Sequence, residues 1–509
     1  MAVKAPLPRS RGSLIVALVA ALIAVLALSG CRPQSTGLTG AATGQFAIGQ
    51  TSPINNLSPH PFSSSTQVWE KALFDTLVTI DPDPKPSLAR TWEVAEGSRT
   101  YTFHLTPGVT FTNGTPLTAQ VVVDNLLWAA DPAHKVAGNA VLRPGQPIAL
   151  DPNTVQIRFP APVPQLLSTL AVVPIIDLTS DLATRPVGTG PFKVAEFVPN
   201  DHLNLVRNEN YWDATRRPSM STFNVRVYSD VSAATAALSS GQIQALAFPP
   251  FDQVTSLRKQ GNRVVSTDAP GNFMIRVNTS SGPLSNQKVR QALAASINRD
   301  AFTQLTGDGT TQPNRSIYPP SSPVFAPEVG RCEHDLAHAR DLLVQAGYPD
   351  GLDLTIDVSS VRQPEQTRFA QFWQQDLAEI GVRLKVKNVS GTVFSSNIIG
   401  GQYELSADWV PWGNADPALI FITATFTPGA TLEKFADPEY ARIVDAAQTE
   451  LDPDDRLAAY QQINRYLVDQ AFVIPIATRP FLYAVRPGID SFDVDPFGMV
   501  VATSITSAA

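Results

Sequence analysis

The stretch GTGPFKVAEFVPNDHLNLVRNENYW, residues 188–212, decides the fold class. Phe, Val and Leu alternate there with polar residues, so it reads as strands, and FNVRVYSD (223–230) continues them. SAATAALSSGQIQAL (232–246) follows and reads as a helix ending at Gly241. Upstream, FAIGQ (46–50) reads as a strand. TQVWEKALFDTLVTI (66–80) holds Val68, Ala72, Phe74 and Leu77 at helical spacing and reads as a helix running into a strand. TWEVAEGSRTYTFHLTPGVTFTNG (91–114) alternates and contains turn signals, as antiparallel strands do, and Thr118 is the expected N-cap of the helix AQVVVDNLLWAA (119–130). DPNTVQIRFPAP (151–162) is a strand between prolines.

Downstream, NQKVRQALAASINRDAFTQL (286–305) has a helix period, and HDLAHARDLLVQAG (334–347) is a helix closed by Gly347. LDLTIDVSS (352–360) and RLKVKNVS (383–390) read as strands on either side of the helix PEQTRFAQFWQQDLAEIGV (364–382), closed by Gly381. Two more helices, EYARIVDAAQTEL (439–451) and DDRLAAYQQINRYLVDQ (454–470), precede the strand-like FVIPIATRPFLYAVRPGIDSF (472–492). Helices and strands interleave throughout, so the class is α/β with α+β portions.

The chain has 509 residues, a length that predicts about three domains. It is 43% hydrophobic, which excludes disorder as a whole. With 45 acidic and 38 basic residues the net charge is −7, whereas a protein that tracks nucleic-acid phosphates needs a basic excess. The two cysteines, Cys31 and Cys332, allow at most one disulfide.

Lys4, Arg9 and Arg11 form a basic n-region ahead of the uncharged run from Gly12 to Gly30. Leu28-Ser29-Gly30-Cys31 resembles the lipobox of bacterial lipoproteins, which implies a signal peptide over 1–30 and diacylation of Cys31. Residues 31–45 are poor in large apolar side chains and read as a flexible tether. The acyl chains would hold the protein at the membrane surface without spanning it.

Several segments together resemble the solute-binding proteins of bacterial ABC importers for oligopeptides, dipeptides and nickel (family 5 extracellular solute-binding proteins). They are LVTIDPDPKPSLARTWEVAEGSRTYTFHLTPGVTFTNGTPLTAQVVVDNL, GTGPFKV, LVRNENYW, ALSSGQIQAL, PLSNQKVRQALAASINRDAF, AHARDLLVQAGYPDG and a Trp-containing loop ending in ADP, in family order. The resemblance covers about residues 46 to 500. It implies a fold like the type II periplasmic binding proteins with an extra inserted lobe. Lobe I would be discontinuous (46–79, 187–273 and 479–509), lobe II would span 80–186 and lobe III 274–478. The ligand cleft would lie between lobes I and III, with the chain crossing near 272–278 and 476–483. The implied function is binding without catalysis: a monomer, free of cofactors, that captures a peptide or similar polar solute and passes it to the permease and ATPase complex of the importer at the outer face of the membrane. A nickel chelate or glycoside as the solute, or an interaction lipoprotein without transport, are the alternatives.

His334-Asp335-Leu336-Ala337-His338 sets two histidines at i and i+4, as in a zinc hydrolase helix, with Cys332 nearby; a solvated helix face is the competing reading. No GxSxG elbow is present, Gly188-Thr189-Gly190 is too short for a phosphate loop, and His60, His104 and His202 are scattered.

The most informative loop is Asp408-Trp409-Val410-Pro411-Trp412-Gly413-Asn414-Ala415-Asp416-Pro417. In peptide-binding relatives it resembles a Gly-Trp followed, three residues after the Trp, by an aspartate that pairs with the peptide ammonium. Here that place falls on Trp412, or on Asn414 with a two-residue insertion, so only Asp416 offers a carboxylate. Trp409 and Trp412 offer flat faces for side chains, sugars, aromatic ligands or a cation. The resemblance further suggests Arg362 for a ligand carboxylate, Phe273 and Met274 near the crossing, and Asn55 and Asn56 in the first loop as cleft residues.

Overall fold

In the computed structural model the described residues are 44–59, 66–81, 83–267, 271–306, 308–326, 328–329, 334–360, 364–411, 416–422, 425–429 and 432–507. Residues 188–212 supply two strands, Phe192–Val198 and His202–Arg207, paired as an antiparallel hairpin from Phe192↔Arg207 to Val198↔His202. Asn200 turns the hairpin with φ 60°, a left-handed conformation that Asn tolerates better than most residues. The hairpin is one end of a seven-stranded sheet, ordered Arg263–Ser266, Leu482–Val485, Ala245–Ala247, Gln45–Gln50, Thr222–Val227, His202–Arg207 and Phe192–Val198. Gln45–Gln50 runs parallel to both its neighbours; the remaining pairings are antiparallel. The sheet therefore draws on three separated parts of the chain. Helix Val231–Ser240 leads from one parallel strand to the next; Asp230 caps its first turn, and Gly241, at φ 84°, ends it.

A second, four-stranded antiparallel sheet comes from Ala89–Ala95, Thr100–Leu105, Thr154–Arg158 and Gln146–Asp151. Helix Ala119–Ala130 packs on it, capped by Thr118 as expected. The strand Gln146–Asp151 was not legible from the sequence. It is an edge strand with Ile148 and Leu150 exposed, so no polar–apolar alternation marks a buried face.

The third sheet has five strands, ordered Val382–Asn388, Leu352–Val358, Leu405–Pro411, Gly271–Val277 and Val473–Thr478. Helix Pro364–Glu379 is the crossover between the parallel strands Leu352–Val358 and Val382–Asn388, and it buries Phe369, Trp373 and Leu377. Helices Pro438–Thr449 and Pro453–Gln470 bury Tyr440, Ile443, Tyr460 and Ile463 in a separate core that reaches Met274 and Val473 of this sheet.

Two expectations need correction. The helix over 286–305 is two helices, Gln287–Ala295 and Arg299–Thr306, because Asn298 caps the second with its side chain on the Ala301 amide. The strand-like 472–492 is two strands in different sheets, Val473–Thr478 and Leu482–Val485, and the chain changes sheet at 479–481. The other change falls between Arg263–Ser266 and Gly271–Val277. Pro480 has no amide to give a ladder, so a single strand through both sheets is not available.

Candidate functional site

The two sheet changes are bound to each other. The Thr267 amide donates to the Phe481 carbonyl at 3.1 Å, and the Phe481 amide donates to the Thr267 hydroxyl at 2.9 Å. The Arg479 amide donates to the Gly271 carbonyl at 2.8 Å. Around this join, Trp409 of the five-stranded sheet packs against the core of the seven-stranded one. Gly271–Val277 pairs with Leu405–Pro411, which sets Trp409 opposite Phe273. The Trp409 ring meets Phe481 edge-on at 4.9 Å and 86°. On Trp409 also lies the guanidinium of Arg479, 4.9 Å from the ring centroid, and the same guanidinium is 5.2 Å from Phe251. A cation held between two rings gains from both quadrupoles. Arg479 Nε and Nη2 both reach one oxygen of Glu365, Oε1, at 3.3 and 3.0 Å.

Gly271 is required by close approach rather than by a turn. A Cβ there would sit 2.2 Å from Trp409 Nε1 and 2.8 Å from the Val410 carbonyl. Gly271→Ala is expected to cost about 1–3 kcal/mol through overpacking. Thermal unfolding measures this, and a stability equal to the wild type would mean the indole moves aside freely.

The strand that presents Trp409 is anchored from behind by a buried ion cluster. Arg276 on the adjacent strand donates from Nε to Asp408 Oδ2 at 3.0 Å, and from Nη1 to Glu433 Oε1 and to the Thr425 hydroxyl, both at 2.6 Å. Asp408 in turn accepts the Trp409 amide on Oδ1 at 2.8 Å. Burial works against the charge of Arg276, but Glu433 and Asp408 more than offset it and hold the guanidinium in its charged form. Burial pushes Glu433 up to about 7 although Arg276 pulls it down.

Asp416 is already engaged. Its two oxygens accept Arg456 Nη2 at 3.1 and 3.0 Å; Oδ2 also accepts the Ser168 hydroxyl at 3.1 Å and Oδ1 the Ala418 amide at 2.9 Å. Ser168 belongs to helix Leu166–Leu170, and Leu419 is buried in the core of the four-stranded sheet. Asp416 thus fastens the segment after the Trp loop to that part of the chain. Phe273 and Met274 are buried on opposite faces of their strand, Phe273 against Phe302 and Phe369 at 5.7 and 5.5 Å. Asn55 and Asn56 are exposed after the first strand, and Asn56 accepts the Ser58 amide. Trp412, Asn414, Arg362, Cys31 and Cys332 lie outside the described residues.

The zinc reading fails on local geometry. The helix begins at Leu336, and Asp335 is its N-cap, accepting the His338 amide at 2.8 Å. His334 therefore precedes the helix and shares no helical face with His338; its Nε2 is 3.4 Å from Asp376. Among the described residues no group of three or more His, Cys, Asp and Glu could hold a metal. A cavity of ≈ 630 Å³ beside Thr355, Gln374, Arg383 and Glu404 contains none of the junction residues. Sequence reasoning missed Arg479, Glu365, Phe251, Arg276 and Arg456. The one available signal was the Arg-Pro after an apolar strand, which marks where the strand must stop.

Among solved structures, the chain is similar to the ABC transporter-associated periplasmic binding protein DppA from Helicobacter pylori in complex with peptide STSA. The TM-score is 0.78 at 22% identity, covering 89% of this chain and 97% of that one. It is likewise similar to NikA from Staphylococcus aureus in complex with Ni(L-His)2, with TM-score 0.80 at 17% identity over 91% and 100% of the two chains. The fold is that of the type II periplasmic binding proteins. In sequence, the glutathione-binding protein GsiB of Escherichia coli (strain K12) is 28% identical over 468 residues, 87% of this chain and 90% of that protein. The family model for bacterial extracellular solute-binding proteins, family 5, matches residues 83–431. The chain belongs to that family, whose members serve ABC importers. No helix among the described residues is long and apolar enough to cross a membrane.

Proposed function

We propose that this protein is the lipid-anchored, extracytoplasmic solute-binding subunit of an ABC importer, and that it captures a peptide or similar polar solute between lobes and delivers it to the permease and ATPase complex. Lobe I comprises 46–79, 187–273 and 479–509, lobe II 80–186 and lobe III 274–478, and Cys31 carries the acyl chains. The protein acts as a monomer and without a catalytic step or cofactor. The observation that carries the reading is the join between the seven- and five-stranded sheets. Among the described residues, two chain segments that link them are hydrogen-bonded to each other, and Trp409, Phe251 and Arg479 converge there. A solute held at such a join touches both lobes only when they close, so its binding energy favours the closed state.

The solutes of the relatives differ: glutathione, the peptide STSA and Ni(L-His)2. These three are the first probes. A true ligand at about 100 times its Kd should raise the unfolding free energy by ~2.7 kcal/mol, seen as a higher melting temperature. If a wide panel of peptides, amino-acid conjugates, sugars and metal chelates leaves the melting temperature unmoved, the interaction-lipoprotein alternative takes over. For the anchor, the intact mass of membrane-extracted protein should carry two acyl chains that a Cys31→Ala variant lacks.

A second reading, a solute without a free peptide ammonium held by the Trp loop, is favoured by one observation. Asp416, the loop's candidate carboxylate, is spent on Arg456, Ser168 and the Ala418 amide.

A further inference from the structure

Arg479 and Glu365 are paired in an incomplete way. Both guanidinium contacts, Nε and Nη2, fall on Oε1 of Glu365. Among the described residues Arg479 Nη1 and Glu365 Oε2 have no hydrogen-bond partner. Each side chain is 16% exposed, and neither atom is among the buried polar atoms that lack a partner, so both are open to a solute. Trp409 and Phe251 fix the guanidinium plane, and the Arg479 amide ties its backbone to Gly271. The result is a rigid, charge-balanced pair at the join of the two sheets, with one N–H edge and one carboxylate oxygen left over. Arg is the residue for this duty, since its planar fork stays charged and stacks on rings.

We propose that Arg479 and Glu365 form the polar anchor of the solute site and take a zwitterionic α-amino-acid head, its carboxylate on Arg479 Nη1 and its ammonium on Glu365 Oε2. Charge balance selects this class. A lone carboxylate beside Glu365 would leave the site with one negative charge in excess, and a lone ammonium beside Arg479 with one positive, in a partly desolvated place. A head carrying both charges on one carbon meets each partner and leaves the site neutral. A γ-glutamyl compound has such a head, whereas the amino end of an ordinary α-linked peptide has the ammonium without the adjacent carboxylate. The assignment rests on the solute-binding reading above and names the part of the solute that this chain holds.

The test is calorimetric binding to the full protein of S-methylglutathione, its N-acetyl derivative, and the α-linked isomer of the same tripeptide. The expected result is tightest binding of the γ-linked compound. Arg479→Gln and Glu365→Gln should each weaken it on the order of 10- to 100-fold, the range set by hydrogen bonds to charged groups, with Arg479→Lys between. The N-acetyl derivative has no ammonium and sets a lone carboxylate beside Glu365, so Glu365→Gln should tighten its weaker binding while it loosens that of the free head. That readout separates ligand contact from a merely structural ion pair, which would alter all three ligands alike. Equal affinities of wild type and both variants, or equal preference for the two linkages, would overturn the proposal while leaving the solute-binding reading intact. Binding of none of the three by the wild type also removes it, and the solute-binding reading is then decided by the wider panel.

Discussion

Arg276→Met is expected to lower the unfolding free energy by ~3–5 kcal/mol, because it leaves two carboxylates without their cation. Arg276, Asp408 and Glu433 are 5%, 6% and 0% exposed, so water cannot replace the lost partner. Such a loss is a large part of the total of ~5–15 kcal/mol that holds an ordinary domain. The cost should be mostly recovered when the two acids are made neutral as well, in Arg276→Met with Asp408→Asn and Glu433→Gln. Replacing a whole buried ion cluster is far cheaper than breaking it. Denaturant titration of the three proteins decides this. A single variant within ~1 kcal/mol of the wild type would show that the cluster contributes nothing net. Because Asp408 also accepts the Trp409 amide, the single variant should weaken solute binding even where it stays folded.

The second large effect depends on pH. Burial pushes Glu70 up to about 8 from the usual carboxylate value of 4.5, against the pull of a Thr66 hydrogen bond and Lys71. The folded protein therefore binds a proton between pH 4.5 and about 8 that the unfolded chain releases. Stability from this group is fully present below the unfolded value and is lost as pH rises through that window. Glu70→Gln has no proton to lose. The two proteins should melt alike near the acid end of the window, and the variant should melt higher at its alkaline end. The difference between the two melting curves isolates Glu70 from Glu433, which shifts in the same direction. Parallel pH profiles would show that Glu70 is charged in the folded state at neutral pH.

The strands of residues 188–212 were legible because their alternation is local, and Thr118 and Gly241 because a cap needs only its own turn. The edge strand Gln146–Asp151 carries no such signal, since neither face is fully buried. His334 and His338 misled for a related reason: the i, i+4 rule holds only inside a helix, and Asp335 starts the helix between them. The Trp loop could be found from its own residues, but the partners that give it meaning could not. Glu365 meets Arg479, and Ser168 meets Asp416, across more than a hundred residues of chain. Nothing in the period of either segment encodes those meetings; they follow from which strands become neighbours.

The seven-stranded sheet has a temporal consequence. Leu482–Val485 lies between Ala245–Ala247 and Arg263–Ser266, and it is nearly the last strand to be made. Until it arrives, the sheet begun by Gln45–Gln50 has an empty slot beside Ala245–Ala247. Contacts of such long sequence separation form slowly, after their loop entropy has been met. The sheet of a chain emerging from synthesis thus stays incomplete until Leu482–Val485 is out. For the extracytoplasmic subunit proposed above, which would have to thread through a membrane before folding, that delay would keep the chain in a form that can still be threaded.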